Sequence, residues 1–583
     1  MKEIEGIQYQ VSEWSYFSEK QYSDPFNEVG LDVLITDSEK NSCKVPAFWA
    51  GGQEWRVRFA PPEPKKYTFK TECSDKDNSG LNAQEGVLEA TSYTGDNPLL
   101  KHGSLRVTKS RRTFEFSDGT PFFWLADTWW YGLCKRWSWP EDFKVICKDR
   151  VAKGFNVVQI VAGLPCDARE FDDRAANEGG YVWEKDYMRI NPEYFNMADR
   201  RIQYLMEAGL LPCIVGSWGF YLLMMGMEKM KKHWRYLIAR WGAYPVVWCL
   251  AGEATLPFYQ KVPNMGVNWA AFKDYFQQKK GWTEVARYVR EINYNQRLIS
   301  IHPFPIPFWY RIFVGGYKTG RTQVKDPSLL DFEMLQTGHF ERELVRAFTA
   351  SAMNHAYSRK PIMPVINAEV VYEGHMQQHY QEIQRMIFWL CILSGAAGHT
   401  YGAGGIWQCN ARGQPFGASP HAPIPHVYEN TPWDEAMHLP GSKQLGLGKA
   451  LLERYRWWLM KPHPEWSSPH GTRWNPMLPY AAGIPGKLRI IYIPQRIYNW
   501  TGPLLKKLEP DIQYHAFYFN PINGDEYDLG SISGNSKGQW QAPEVPLCQD
   551  WVLILEKNFL EFFLSPLEGG GPADYKEYDY EED

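Results

Sequence analysis

Between about residues 120 and 460, short apolar runs alternate with longer amphipathic segments, and this alternation limits the fold more than any other feature of the chain. An apolar run, then a helical pattern, then another apolar run is the signature of βα units, which build parallel sheets. Candidate strands lie at 122–125, 157–161, 211–215, 246–250, 298–301, 330–335, 363–367 and 399–406. Helices are expected at 229–241, 282–292, 341–355 and 380–393. Another opens at Asn191-Pro192, where Asn caps the first turn and Pro fills a position with no amide to satisfy. Eight strands with intervening helices point to a (β/α)8 barrel. An open dinucleotide-binding sheet is disfavoured, because no GxGxxG turn follows the first strand.

Both flanks read as β-structure. Residues 29–35 alternate at period two, with turn clusters at 37–42, Gly51-Gly52 and 61–64, and a hairpin over 114–116 and 121–125 feeds the first barrel strand. Beyond the barrel, strands are expected at 487–493, 514–519 and 550–555, with turns at 520–525 and Ser533-Gly534. The expected organisation is a β-sandwich over 1–110, the barrel over 111–465, a second β-sandwich over 466–558 and a solvated acidic tail over 559–583. The fold class is α/β: a TIM barrel flanked by N-terminal and C-terminal antiparallel β-sandwich domains.

Composition narrows the function. A net charge of −4 leaves no basic field for a phosphate backbone, so nucleic acid is not an expected partner. The longest uncharged apolar stretch, 386–393, falls well short of the ~20 residues of a membrane helix. Ten cysteines without a CxxC pair read as reduced thiols. The start, MKEIEGIQYQ, has no apolar core, so a cytoplasmic location is expected, or a secreted or periplasmic one if a leader has been removed. Aromatic residues make up 15% of the chain, with 26 Trp and 34 Tyr, and their flat faces with polar tips suit sugar rings as well as cores.

Reacting groups of such barrels sit at the carboxyl ends of the strands. The fourth strand ends in Ala251-Gly-Glu253 and the seventh in Asn367-Ala-Glu369, so each apolar strand delivers a carboxylate to the barrel mouth. Two carboxylates facing each other can cleave a glycosidic bond, one protonating the departing oxygen and the other attacking the anomeric carbon or activating water. Glu373 rivals Glu369. Asp127, after the first strand, either binds hydroxyls or caps the next turn. Gln159 within the second strand, His302 after the fifth, Gln336 and His339 after the sixth, and Tyr401 ending the eighth complete the polar set with Tyr372. Trp129, Trp130 and Trp407 are candidate walls for a sugar ring. His375 and His379 stand four apart, but no Glu follows the first and no third ligand is evident, so no metal is assigned. The barrel region has no GxSxG elbow, and the chain has no Walker loop.

The barrel segments Asp118-Gly-Thr-Pro-Phe-Phe-Trp-Leu-Ala-Asp-Thr-Trp129, Arg150-Val-Ala-Lys-Gly-Phe-Asn-Val-Val158, Val247-Trp-Cys-Leu-Ala-Gly-Glu253, Leu335-Gln-Thr-Gly-His339 and Asn367-Ala-Glu-Val-Val-Tyr-Glu-Gly374 together resemble the apiosidase-like glycoside hydrolases. Val45-Pro-Ala-Phe-Trp-Ala-Gly-Gly52 and Trp55-Arg-Val-Arg-Phe59 resemble the small β-domain that precedes such barrels. Tyr480-Ala-Ala-Gly-Ile-Pro-Gly486, Phe519-Asn-Pro-Ile-Asn-Gly524 and Asp550-Trp-Val-Leu553 resemble the sandwich named for collagen binding in these proteins, a name not carried over as a function.

The resemblance implies a retaining, exo-acting glycosidase with Glu253 as acid/base, Glu369 as nucleophile, a carbohydrate substrate and no cofactor. Apiosidases carry Asp where this chain has Glu253, and Pro where it has Val370, so the sugar need not be apiose. Alternatives left open are an inverting mechanism and a barrel that binds carbohydrate without turnover. Self-association is also open.

Overall fold

The computed structural model describes residues 2–256, 269–304, 318–339, 341–419, 428–495 and 501–557. The expected acidic tail lies outside these residues. At the centre is an eight-stranded parallel sheet whose strands are Trp124–Trp129, Val157–Val161, Leu211–Val215, Val247–Cys249, Ile299–Ser300, Glu333–Gln336, Val365–Glu369 and Gly398–Tyr401. The eighth strand pairs with the first, and the fifth meets the sixth through Asp331 N to Ile299 O at 2.8 Å and Ser300 Oγ to Phe332 O at 2.8 Å. The sheet thereby closes into a barrel. Most strand positions are fully buried, as parallel strands covered by helices must be.

The helices behave as their sequences dictate. Pro192–Glu207 starts where Asn191 accepts a hydrogen bond from Glu193 N, with Pro192 in the first turn. Gln381–Leu393, which contains the longest apolar run of the chain, is buried over nearly its whole length. It lies between the barrel, the helix Pro440–Glu453 and the C-terminal module. A helix apolar on all sides needs cover on all sides, and this one has it. Among the described residues, no helix is long and apolar enough to cross a membrane.

Each flanking module packs two sheets face to face. The N-terminal one pairs a five-stranded with a three-stranded sheet, and the C-terminal one a six-stranded with a three-stranded sheet. One detail departs from a purely antiparallel sandwich: Lys2–Ile7 pairs parallel with Glu85–Thr91 at the sheet edge. Both modules are fastened to the barrel by buried charge. Asp199 on a barrel helix accepts from Arg58 of the N-terminal module at 2.5 Å and from Arg240 at 2.9 Å. Arg385 grips Asp550 of the C-terminal module with two bonds, 2.9 and 2.6 Å. Planar, two-pronged pairs of this kind fix orientation as well as distance.

Candidate active site

Glu253 stands past the end of the fourth strand with φ 42°, a left-handed conformation that a non-glycine residue holds only under constraint. The constraint is visible. Gly219 N donates to Gly252 O at 2.7 Å and Gly252 N to Ser217 O at 2.9 Å, which brings the third-strand loop against the fourth. Gly252 is required here, because a Cβ would lie 2.3 Å from the Trp218 indole. Trp218 in turn donates Nε1 to Glu253 Oε2 at 3.2 Å, while Gln336 donates Nε2 to Oε1 at 2.9 Å.

Glu369 ends the seventh strand, nine-tenths buried. Its Oε1 accepts from the Tyr372 hydroxyl at 2.7 Å and lies 2.7 Å from His339 Nε2. Its Oε2 is 3.2 Å from His302 Nε2. Tyr372 is itself held by Trp130 Nε1, which donates to its hydroxyl at 2.8 Å. The strand carries a bulge: Asn367 pairs with Leu335, and Glu369 pairs with Gln336, so Ala368 is the extra residue. Bulges beside active sites re-aim a side chain, and here the carbonyl they leave unpaired is taken up by Gln159. Its Nε2 reaches across the barrel interior from the second strand to Ala368 O at 2.8 Å.

The two carboxylates share neighbours and act on each other electrically. Gln336, opposite Glu369 in the sheet, bonds Glu253. The His302 backbone bonds Ala251 and Ala254 on either side of Glu253, while its ring meets Glu369. Their environments drive them apart electrically. Burial, and then the negative charge of Glu369, push the Glu253 carboxyl up to about 8. Burial alone would raise Glu369 too, but the imidazoles of His302 and His339 outweigh it and hold that carboxyl well below the usual range. At neutral pH one acid therefore keeps its proton and the other is an anion, the division of labour that acid–base chemistry on a glycosidic bond requires.

Of the residues expected from the sequence, the structure brings together Glu253, Glu369, His302, Gln336, His339, Tyr372 and Trp130. Others are elsewhere. The first strand runs on to Trp129, so Asp127 and Trp129 lie within it and turn toward the helix layer, not the mouth. Asp127 has no exposed surface. Its oxygens accept from Thr128 N at 2.8 Å, Trp129 Nε1 at 2.8 Å and Arg150 Nε at 2.5 Å. With its acceptors taken, it holds the barrel to its first helix in place of a hydroxyl. Trp129 packs edge-on against Trp137 and Phe143 and is no sugar platform. Tyr401 faces the same layer and donates to Glu373 Oε2 at 2.5 Å. Glu373 also accepts from Gly441 N at 3.0 Å, which places this rival of Glu369 in a buried structural network. Gln159 serves the bulge. Trp407 is buried behind Tyr372, ring centres 5.9 Å apart. His375 Nδ1 lies 3.2 Å from the Glu429 carboxylate.

Two pocket residues escaped the sequence reading. Trp218 follows the third strand in Gly216-Ser-Trp-Gly219, and Asp167 follows the second in Gly163-Leu-Pro-Cys-Asp167. Both obey the same strand-end rule as Glu253, so the signal was present. Asp167 has φ 53°, accepts from Ser419 Oγ at 2.6 Å, and its charge adds to the upward pressure on Glu253.

Comparison with known proteins agrees with this fold. Among solved structures, the chain is similar to a glycoside hydrolase with TM-score 0.61 and 20% identity, covering 79% of this chain and 98% of the other. A glycoside hydrolase family 5 protein from Bacteroides vulgatus gives TM-score 0.61 and 20% identity, over 79% and 93% of the two chains. A further Bacteroides vulgatus protein, provisionally described as a glycoside hydrolase, gives 0.65 and 16%, over 96% and 100%. At such identities the likeness concerns the fold. No curated protein sequence matches. Residues 6–74 match the domain of unknown function DUF5060. Residues 108–459, the barrel with all its pocket residues, match the apiosidase-like catalytic domain, and the chain belongs to that family of glycoside hydrolases.

Proposed function

We propose that the protein is a retaining, exo-acting glycosidase on an oligo- or polysaccharide, with Glu253 as acid/base and Glu369 as nucleophile. The observation that carries the reading is the electrical asymmetry of the pair. Protonated Glu253 donates to the departing glycosidic oxygen while anionic Glu369 attacks the anomeric carbon, forming a glycosyl-enzyme. Water then attacks that carbon as Glu253, now a carboxylate, takes its proton and Glu369 leaves. Tyr372 and His339 hold Oε1 of the nucleophile, and Gln336 and Trp218 orient the acid. His339, with 29% of its side chain exposed, stands at the rim where a sugar hydroxyl would meet it.

Retention is tested by proton NMR of the first-formed sugar on aryl glycosides. The expected product keeps the substrate's anomeric configuration, and a fluorinated substrate leaves a mass label on Glu369. An inverted product, or a label elsewhere, overturns the assignment. Exo action enters through the family, and release of monosaccharide alone at the earliest time points checks it.

A further inference from the structure

A second cleft, of about 570 Å³, opens between the barrel and the C-terminal sandwich. One wall is the carboxyl-terminal half of the helix Arg342–Ser358, including Asn354 and His355, and the other carries His470, Arg473, Trp474 and Tyr480. That helix follows the sixth strand and precedes the seventh, so it runs from the mouth back toward the amino ends of the strands. The cleft is thus at the opposite end of the barrel from Glu253 and Glu369.

Three features of this cleft fit a polyhydroxylated ring. Trp474 is 82% exposed, where most tryptophans of this chain are buried. Its indole is steadied by Arg473, whose guanidinium carbon is 4.4 Å from the ring centre. Tyr480 is only 8% exposed, yet its hydroxyl has no hydrogen-bond partner among the described residues. A buried hydroxyl without a partner is costly, and a small turn of the Tyr480 ring toward the cleft it lines would offer that hydroxyl to a ligand. The remaining lining mixes amide, imidazole and hydroxyl groups with Leu393 and prolines, and holds no Asp or Glu. A flat apolar plate beside a guanidinium and a set of hydrogen-bonding groups without carboxylates matches the alternating C–H and O–H surface of a saccharide.

We propose that this cleft is a non-catalytic carbohydrate-binding site, with Trp474 as its stacking platform, that holds a polysaccharide chain remote from the reacting centre. The glycosidase reading supplies only the class of ligand.

The test is native affinity electrophoresis of the full chain carrying Glu369→Gln, in gels containing galactomannan, arabinoxylan, a soluble cellulose ether or polygalacturonate. At least one polymer is expected to retard it. Adding Trp474→Ala should raise the apparent Kd about tenfold with an unchanged unfolding temperature, because the side chain is already solvated. Tyr480→Phe should weaken binding less. Equal retardation with and without Trp474 overturns the proposal, as does retardation by none of the polymers. A Trp474→Ala change in oligomeric state without a change in retardation makes the patch a contact between copies and also overturns it. Trp474-dependent retention in a protein that hydrolyses nothing would leave this site standing and remove only the catalytic reading.

Discussion

Gln336 sits opposite Glu369 in the pairing of the sixth and seventh strands and donates its amide to Glu253 Oε1 at 2.9 Å. One residue thereby spaces the two carboxylates and keeps them in electrical contact, and the pH dependence follows. Glu253 works as an acid and is pushed up to about 8, so kcat/KM should hold through neutrality and fall as pH rises through about 8. Glu253→Gln should lose most activity on substrates with poor leaving groups, by roughly a hundredfold or more. It should lose far less on dinitrophenyl glycosides, which need no protonation. An alkaline limb that survives in Glu253→Gln on the activated substrate would assign it to another group.

The same displacement bears on stability. The folded carboxyl is raised above its ordinary 4.5, so the native state binds the proton more tightly than the unfolded chain does. Stability from this group is therefore full below about 4.5 and declines as pH climbs toward 8. Glu253→Gln removes the cost of ionising in a desolvated pocket. Its unfolding temperature should exceed that of the wild type at pH 8 and match it near pH 4.5. The reverse order at pH 8 would mean that the hydrogen bonds from Gln336 and Trp218 to the carboxylate outweigh its desolvation.

Glu369 is anionic because two imidazoles face it, and His339 is the accessible one. Replacing His339 with Asn removes that contact, so the carboxyl should climb toward the ordinary range and the acid limb of kcat/KM should move up with it. A fall in kcat of roughly ten- to hundredfold is expected from losing a charge-assisted bond at the nucleophile. An unmoved acid limb would leave His302 as the sole guardian of the charge.

Asp127 and Arg150 test the corrected reading of the first strand. Both are fully buried and 2.5 Å apart, and Asp149 is a second partner of Arg150. Asp127→Asn leaves Arg150 half-compensated in the interior, at a cost of about 3 kcal/mol, the low end for breaking a buried pair. Thermal unfolding should shift down by several degrees while KM stays within about twofold, since the side chain reaches no sugar. A raised KM with unchanged unfolding would restore Asp127 to the substrate.

How far the sequence carried differs from strand to strand. The second and third strands were legible to the residue because each is a short, mainly apolar run, broken in the second only by Gln159, and closed by turn residues. The first was read four residues short. Ala126 to Trp129 are all buried, and a strand covered on both faces shows no alternation, so the faces of Asp127 and Trp129 could not be told from the pattern. The helix read from 282 begins at Trp269. Glu253, Glu369, His302, Gln336 and His339 were found because a polar residue directly after an apolar run marks a strand end. What stayed hidden was who partners whom: the bulge at Ala368, its capture by Gln159 across the barrel, and the edge strand Lys2–Ile7 pairing with residues more than eighty positions away.

Asp167 offers the sharpest check on the electrostatics of the pocket, because it stands outside the proposed acid–nucleophile pair and still acts on the acid. Its negative charge contributes to raising Glu253, behind burial and Glu369. Ser419 Oγ bonds it at 2.6 Å, and it also bonds the Tyr428 side chain. Asp167→Asn keeps a hydrogen-bonding side chain of the same shape and removes only the charge. The alkaline limb of kcat/KM should therefore move toward lower pH, while the product's anomeric configuration stays the same. Should the limb stay in place and KM alone rise, Asp167 binds a substrate hydroxyl and leaves the acid to burial and Glu369.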